Sequence, residues 1–265
     1  MKKVIVLICD KNYLEHAKSL FGSIRLDGKW TGDLCLIANN IEDSELSDLK
    51  KFGVEIIHKN FNGEYQIKFF IFDEYMKKWD YVIYMDCDFM VFDNLDKITP
   101  DEIKSKPLLS VDIEPFALHE SFCQHWDGND KKVALEHYLK DYDLNKKGFN
   151  AGFIAFNTSI IESNTVDNLF ELAKRIEPIN NHMLRESKSF SDQTINNLYF
   201  TNSLYYIPNK LVSYWRELTE NTIVAHFCRW DSPWKNNDHS NRYQKKYIEK
   251  YFDNLNYFYN SVNGK

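Results

Sequence analysis

A chain of 265 residues with 43% hydrophobic and 27% charged side chains has the composition of a folded soluble protein, long enough to bury roughly 70% of its unfolded surface. Those proportions exclude intrinsic disorder, collagen-like repeats and a small disulfide scaffold. The net charge of −6 speaks against a nucleic-acid reader, which carries a basic face.

Met1-Lys2-Lys3 precedes the apolar run Val4–Cys9. This run is too short for a signal peptide, and no small-residue cleavage site follows it. It reads as a first strand covered on both faces. Tyr13–Leu26 is expected to be a helix, Leu34–Ala38 a strand, and Glu45–Phe52 a helix stopped by Gly53. Val54–Ile57 gives a third strand. Ile67, Phe70, Ile71 and Tyr75 follow helical spacing, and Tyr81–Met85 is a fourth apolar strand. Strands alternating with helices predict an α/β fold with a parallel sheet.

Past Val91 the regularity falls, and residues 112–148 show no strong period. Strand character returns at Phe153–Phe156 and Ile223–Ala225. Helices are expected at Thr165–Ile176, Asp192–Tyr199 and Arg242–Phe258. No linker, repeat or low-complexity tract divides the chain, so a single domain over residues 1–265 is expected, with 242–265 as a helical tail. No window approaches the ~18 apolar residues of a membrane span. Cys9, Cys35, Cys87, Cys123 and Cys228 are odd in number and lack a C-x-x-C pair, which fits reduced thiols. A soluble cytoplasmic protein is expected, with contact at a membrane surface left open.

The sharpest local signal is Asp86-Cys87-Asp88, directly after the strand Tyr81–Met85. Ligands of open α/β sheets bind beyond the carboxyl ends of strands. Paired carboxylates there suit magnesium or manganese. The plainer reading is an acidic strand exit in solvent. Neither G-x-G-x-x-G after the first strand nor G-x-x-x-x-G-K-[ST] occurs, which argues against a dinucleotide dehydrogenase or a P-loop enzyme. Asn150-Ala151-Gly152 could be a turn, Asp192-Gln193 a helix start, and His226 a buried histidine bonded to backbone.

Together, five motifs in order resemble glycosyltransferase family 8, whose members include glycogenin and bacterial lipopolysaccharide galactosyltransferases. They are Cys9-Asp10-Lys11-Asn12-Tyr13, Asp86-Cys87-Asp88, Asn150-Ala151-Gly152, Asp192-Gln193, and His226 with Pro233-Trp234. The resemblance implies a GT-A fold, a twisted and mostly parallel sheet flanked by helices. It also implies manganese (or magnesium) dependence, a UDP-sugar donor, UDP-glucose or UDP-galactose, and retention of anomeric configuration. On this resemblance Ile8, Asp10, Asn12 and Tyr13 would meet the nucleoside, while Asp86, Asp88 and His226 would hold the metal. Lys68, Cys87, Asn150, Ala151 and Gly152 would line the donor. Asp192 and Gln193 would stand at the reaction centre, Gln193 as a positional stabiliser in a front-face substitution. Asp112 and Trp126 would face a glycan or other hydroxyl acceptor. A homo-oligomer stays open.

Three other readings compete. A haloacid-dehalogenase-like phosphatase also places Asp-x-Asp after an apolar strand. A nucleotide-sugar-binding protein without transfer, and self-glycosylation on Tyr251, Tyr257 or Tyr259, are the others. One departure matters: in the family's His-x-x-Gly-x-x-Lys-Pro-Trp motif this chain has Arg229 at the Gly position and Ser232 at the Lys position. Arg229 or Lys235 would supply the lost cation, Arg229 with bidentate geometry. Arg229→Ala is therefore expected to raise the donor KM or lower turnover in steady-state kinetics; unchanged constants would refute the substitution.

Overall fold

The computed structural model describes residues 1–62, 66–98, 109–117, 139–183, 192–207, 211–214, 218–227 and 242–264. Its centre is β1 (Lys3–Cys9), parallel to β2 (Asp33–Asn39) on one side and to β4 (Tyr81–Met85) on the other. Beyond β2 lies β3 (Val54–Lys59), also parallel. Val4 to Leu7 are fully buried, as a strand covered on both faces requires. Alternation divides them: Ile5 and Leu7 enter one core, Val4 and Val6 the other.

On the far side of β4 the direction reverses. β7 (Lys147–Asn157) runs antiparallel to β4 and to β6 (Leu109–Ala117), and β8 (Leu204–Tyr206) completes the sheet. The order is β3-β2-β1-β4-β7-β6-β8. A second sheet of β5 (Phe89–Val91), β10 (Val224–His226) and β9 (Val212–Tyr214) hangs from the end of β4. The sheet is mostly parallel and flanked by helices, as expected. Helices α1 (Leu14–Leu26) and α2 (Ser47–Lys51) follow β1 and β2; α3 (Thr165–Met183), α4 (Asp192–Tyr199) and α5 (Arg242–Val262) come later. No helix among the described residues is long and apolar enough to cross a membrane.

Three local expectations need correction. The segment around Ile67–Tyr75 forms two 3-10 turns, Gln66–Phe72 and Glu74–Lys78, not an α-helix. Its β-branched and aromatic residues are weak α formers, and Phe69 and Phe72, three apart, are both fully buried, matching the three-residue turn. Tyr75 is exposed. The strand predicted at Phe153–Phe156 is eleven residues long, and it swallows Asn150-Ala151-Gly152. Sheet pairing overrides the turn preference of Asn and Gly there. The region expected to lack regularity holds β6; residues 118–138, Trp126 among them, lie outside the described residues.

Helix α5 packs along α1, burying Tyr251 and Phe258. The axes come so close at Gly22 that a Cβ there would sit 2.2 Å from the Asn254 carbonyl oxygen. Alanine's better helix propensity is worth about 1 kcal/mol, but the obstructing atom is backbone and must be displaced with its helix. Gly22→Ala is expected to lose about 1–3 kcal/mol net, read as a lower Tm; a raised Tm would show the helix pair to be freely adjustable.

Candidate functional site

The carboxyl end of β4 delivers Asp86 into a tight turn. The Asp86 amide donates to Gly152 O at 2.8 Å, and the Phe89 amide donates back to Asp86 O at 3.2 Å. The chain then enters β5, which pairs antiparallel with β10 so that Phe89 lies opposite His226. The Phe227 amide donates to Asp88 O at 2.8 Å. This pairing brings a histidine from late in the sequence to the acidic turn. Its imidazole is stacked between Phe89 (4.3 Å between centroids, 8° between planes) and Tyr214 (5.7 Å, 18°), with Nε2 3.2 Å from Asp88 Oδ1.

One ligand atom from each of Asp86, Asp88 and His226 lies within 4.8 Å of the others. Asp88 Oδ1 is buried, yet no donor is aligned to hydrogen-bond it. A buried carboxylate oxygen left in that state is costly, and a cation would satisfy it. Two carboxylates and one imidazole form a mixed donor set that suits manganese; magnesium prefers oxygen alone. The residues fit a divalent ion.

Behind this triad sits a partly buried cation. Lys68 Nζ lies 2.8 Å from Asp86 Oδ1, 2.9 Å from Asp86 Oδ2 and 3.2 Å from Asp192 Oδ2. The Tyr84 hydroxyl also donates to Asp86. Burial pushes the Asp86 carboxyl up, but the charges of Lys68 and His226 and the bonds from Lys68 and Tyr84 outweigh it, and Asp86 is held below the ordinary range. Burial likewise pushes Asp192 up; Lys68 pulls against it, the Asp86 charge adds to it, and Asp192 ends above its ordinary value. For Lys68 burial acts downward, and the two carboxylates more than reverse it. The ammonium therefore stays charged.

The opposite wall is a bulge. Val111 pairs with Ile154 while Asp112 pairs with Asn150, so residues 151–153 swing away from β6. Side chains of α4 bond to the backbone at Phe149 and Ala151. Gln193 Oε1 accepts from the Ala151 amide at 3.2 Å. Asn197 brackets Phe149 like a borrowed strand, accepting from its amide at 2.8 Å and donating to its carbonyl at 2.9 Å. Asn150 donates to the Tyr214 hydroxyl at 2.7 Å and accepts from the Gly152 amide at 2.8 Å. A Cβ on Gly152 would lie 2.9 Å from Asn150 Oδ1, 3.0 Å from the Phe89 ring and 3.1 Å from Asp86 Oδ2. Glycine is needed there for close approach.

The loop after β1 begins beside the acidic turn. Asp10 caps it, its Oδ1 accepting from the Asn12 amide at 2.9 Å and the Tyr13 amide at 3.3 Å. The Cys87 thiol donates to Ile8 O at 3.3 Å, tying the end of β1 to the acidic turn. Sequence reasoning missed Tyr84, Tyr214 and Asn197. Two had a signal: Tyr84 shares a strand face with Asp86, and Asn197 lies one helical turn beyond Gln193. Asp112 is placed by its backbone opposite Asn150. Arg229, Lys235 and Trp126 lie outside the described residues.

The profile of Glycosyl transferase family 8 matches residues 4–238. No curated protein sequence matches the chain. Among solved structures, an active-site mutant of LgtC is similar with a TM-score of 0.67 and 16% identity, covering 94% of this chain and 95% of that one. The galactosyltransferase LgtC in complex with donor and acceptor sugar analogues gives 0.65 and 16%, with the same coverage. The glycosyltransferase GlyE of Streptococcus pneumoniae TIGR4 gives 0.63 and 18%, covering 99% of this chain and 64% of that one. At these identities the likeness is one of fold, and the fold is GT-A.

Removing one partner of a buried ion pair leaves the other charge uncompensated, at about 3 kcal/mol or more. Lys68→Met would strand two carboxylates. It is expected to lower unfolding stability by at least that amount in urea titration; a loss below about 1 kcal/mol would place the ammonium in the exposed class of pairs.

Proposed function

Since the chain belongs to glycosyltransferase family 8, we propose that it moves a hexose from UDP-glucose or UDP-galactose to a hydroxyl of a glycan acceptor, with retention of anomeric configuration. The observation that carries this reading is the meeting of Asp86, Asp88 and His226 within 4.8 Å, where a buried oxygen of Asp88 lies 3.2 Å from His226 Nε2 but has no aligned hydrogen-bond donor. Such a site suits a diphosphate bridged by a cation. Asp86, Asp88 and His226 would hold a divalent ion, with manganese favoured by the donor set, and it would supply Lewis-acid stabilisation for charge developing on the leaving diphosphate.

The chain's own residues would divide the remaining work. Ile8, Asn12 and Tyr13 border the loop proposed for the nucleoside, and the Asp10 carboxylate fixes that loop's shape. Asn150, Ala151 and Gly152 would form the floor under the donor sugar. A bulged strand suits that task, because Gly152 lets backbone approach without a side chain in the way. Asp192 would orient sugar hydroxyls, with Lys68 fixing its rotamer.

The same contacts bear on stereochemistry. Gln193 Oε1 is engaged with the Ala151 amide, and Asp192 is buried against Lys68. Neither is poised as a nucleophile for a double displacement. This supports front-face attack by the acceptor on the leaving-group side, with Gln193 stabilising the oxocarbenium-like sugar, by analogy with glycoside hydrolysis. Family membership displaces the phosphatase reading. The buried Tyr251 on α5 serves packing, which leaves self-glycosylation at that residue without support.

The test is UDP release from a panel of UDP-sugars, with manganese and with EDTA. One donor is expected to be turned over, slowly by water and faster with an acceptor glycan. EDTA should abolish this, and Asp88→Asn should lower it by at least about a hundredfold, the usual scale for losing a preorganised electrostatic contact. Turnover that survives both EDTA and Asp88→Asn would sink the metal assignment.

A further inference from the structure

Helix α5 reaches both halves of the donor site, and we infer that Tyr251 is a positioning residue for nucleotide binding, resting on the UDP-sugar reading above. The backbone of Tyr251 is pinned to α1, because Ser19 Oγ donates to its carbonyl at 2.9 Å. Gly22 admits Asn254 at close range three residues on. From that fixed point the Tyr251 hydroxyl shares a 3.0 Å hydrogen bond with His16 Nδ1. The two rings meet edge-on at 5.6 Å, and His16 meets Tyr13 in the same manner, also at 5.6 Å. Tyr13 closes the loop capped by Asp10, to which its amide donates.

The Tyr251 ring does a second thing. It packs with Met90, Ala225, Phe227 and Tyr247 in a small apolar cluster. Met90 is on β5 and Ala225 on β10, the strands that flank Asp88 and carry His226. One side chain thus abuts the nucleoside loop through His16 and the underside of the ion-binding strands through its own ring.

The physical effect is preorganisation. Edge-to-face contacts are directional, and a hydrogen bond at Nδ1 fixes a histidine's ring orientation. His16 held in one pose holds Tyr13 in one pose. A loop already in its binding shape loses less freedom when the nucleotide arrives. The effect falls on affinity for the nucleotide, not on the chemical step.

Tyr251→Phe removes the hydroxyl and keeps the ring in its cluster. On the full chain, calorimetry with UDP and saturating manganese is expected to show affinity weakened by about three- to tenfold, the scale of one net hydrogen bond. KM for UDP-sugar hydrolysis should rise in step while kcat holds. His16→Ala should weaken UDP at least as much, and adding Tyr251→Phe to it should weaken binding no further. Tyr259→Phe removes a hydroxyl from the same helix, one bonded to Lys18 and Glu15, and should leave UDP affinity unchanged. Wild-type affinity in Tyr251→Phe, equal weakening in Tyr259→Phe, or full additivity with His16→Ala would each overturn the role. Failure of the wild-type chain to bind UDP at all would remove the UDP-sugar reading, and this inference with it.

Discussion

A partly buried ammonium held between two carboxylates is the constraint around which the site is arranged. Asp86 ends a strand of the large sheet, Asp192 starts α4, and Lys68 rises from a 3-10 turn between β3 and β4. Neither acid could be taken out of water alone without neutralising. With Lys68 between them, Asp192 can be buried and Asp86 partly so, and the position of α4 against the sheet is fixed by charge as well as packing. The unusual 3-10 geometry of residues 66–72 follows from this demand, because the segment must bury Phe69 and Phe72 and still send Lys68 toward Asp86.

A second constraint is that the acidic turn belongs to two sheets. Asp86 closes the large one, and Asp88 opens the small one. The small sheet would be too slight to stand on three-residue strands, and it is held by the apolar cluster beneath α5 and by the stacking of its histidine. Ligand geometry thus depends on packing well outside the reach of any donor.

Much of this was legible in the sequence because it rests on local pattern. The four parallel strands announce themselves as apolar runs, three of them buried, and Gly53, at φ +87°, marks a helix end as read. Asp86, Asp88 and His226 were found because motif order substitutes for distance. What stayed hidden depends on pairing across the chain. Nothing local in Lys147–Gly152 says strand, since its Asn and Gly favour turns, and the pairing and bonds that override that preference come from β6 and α4. Tyr214 escaped because its value lies in stacking on a residue twelve positions later. The 3-10 turns escaped because an apolar periodicity over ten residues does not separate three residues per turn from three and a half.

The stacking of His226 between Phe89 and Tyr214 also restricts how this site can evolve. An aspartate or glutamate at position 226 would offer no flat face to either ring, and would place a third negative charge beside two others. Moving to an all-oxygen ligand set would then require rebuilding two aromatic neighbours on different strands at once. The proposed site's preference among ions would thereby be lodged in the rings beside the ligand, where a comparison of ligand residues alone would not find it.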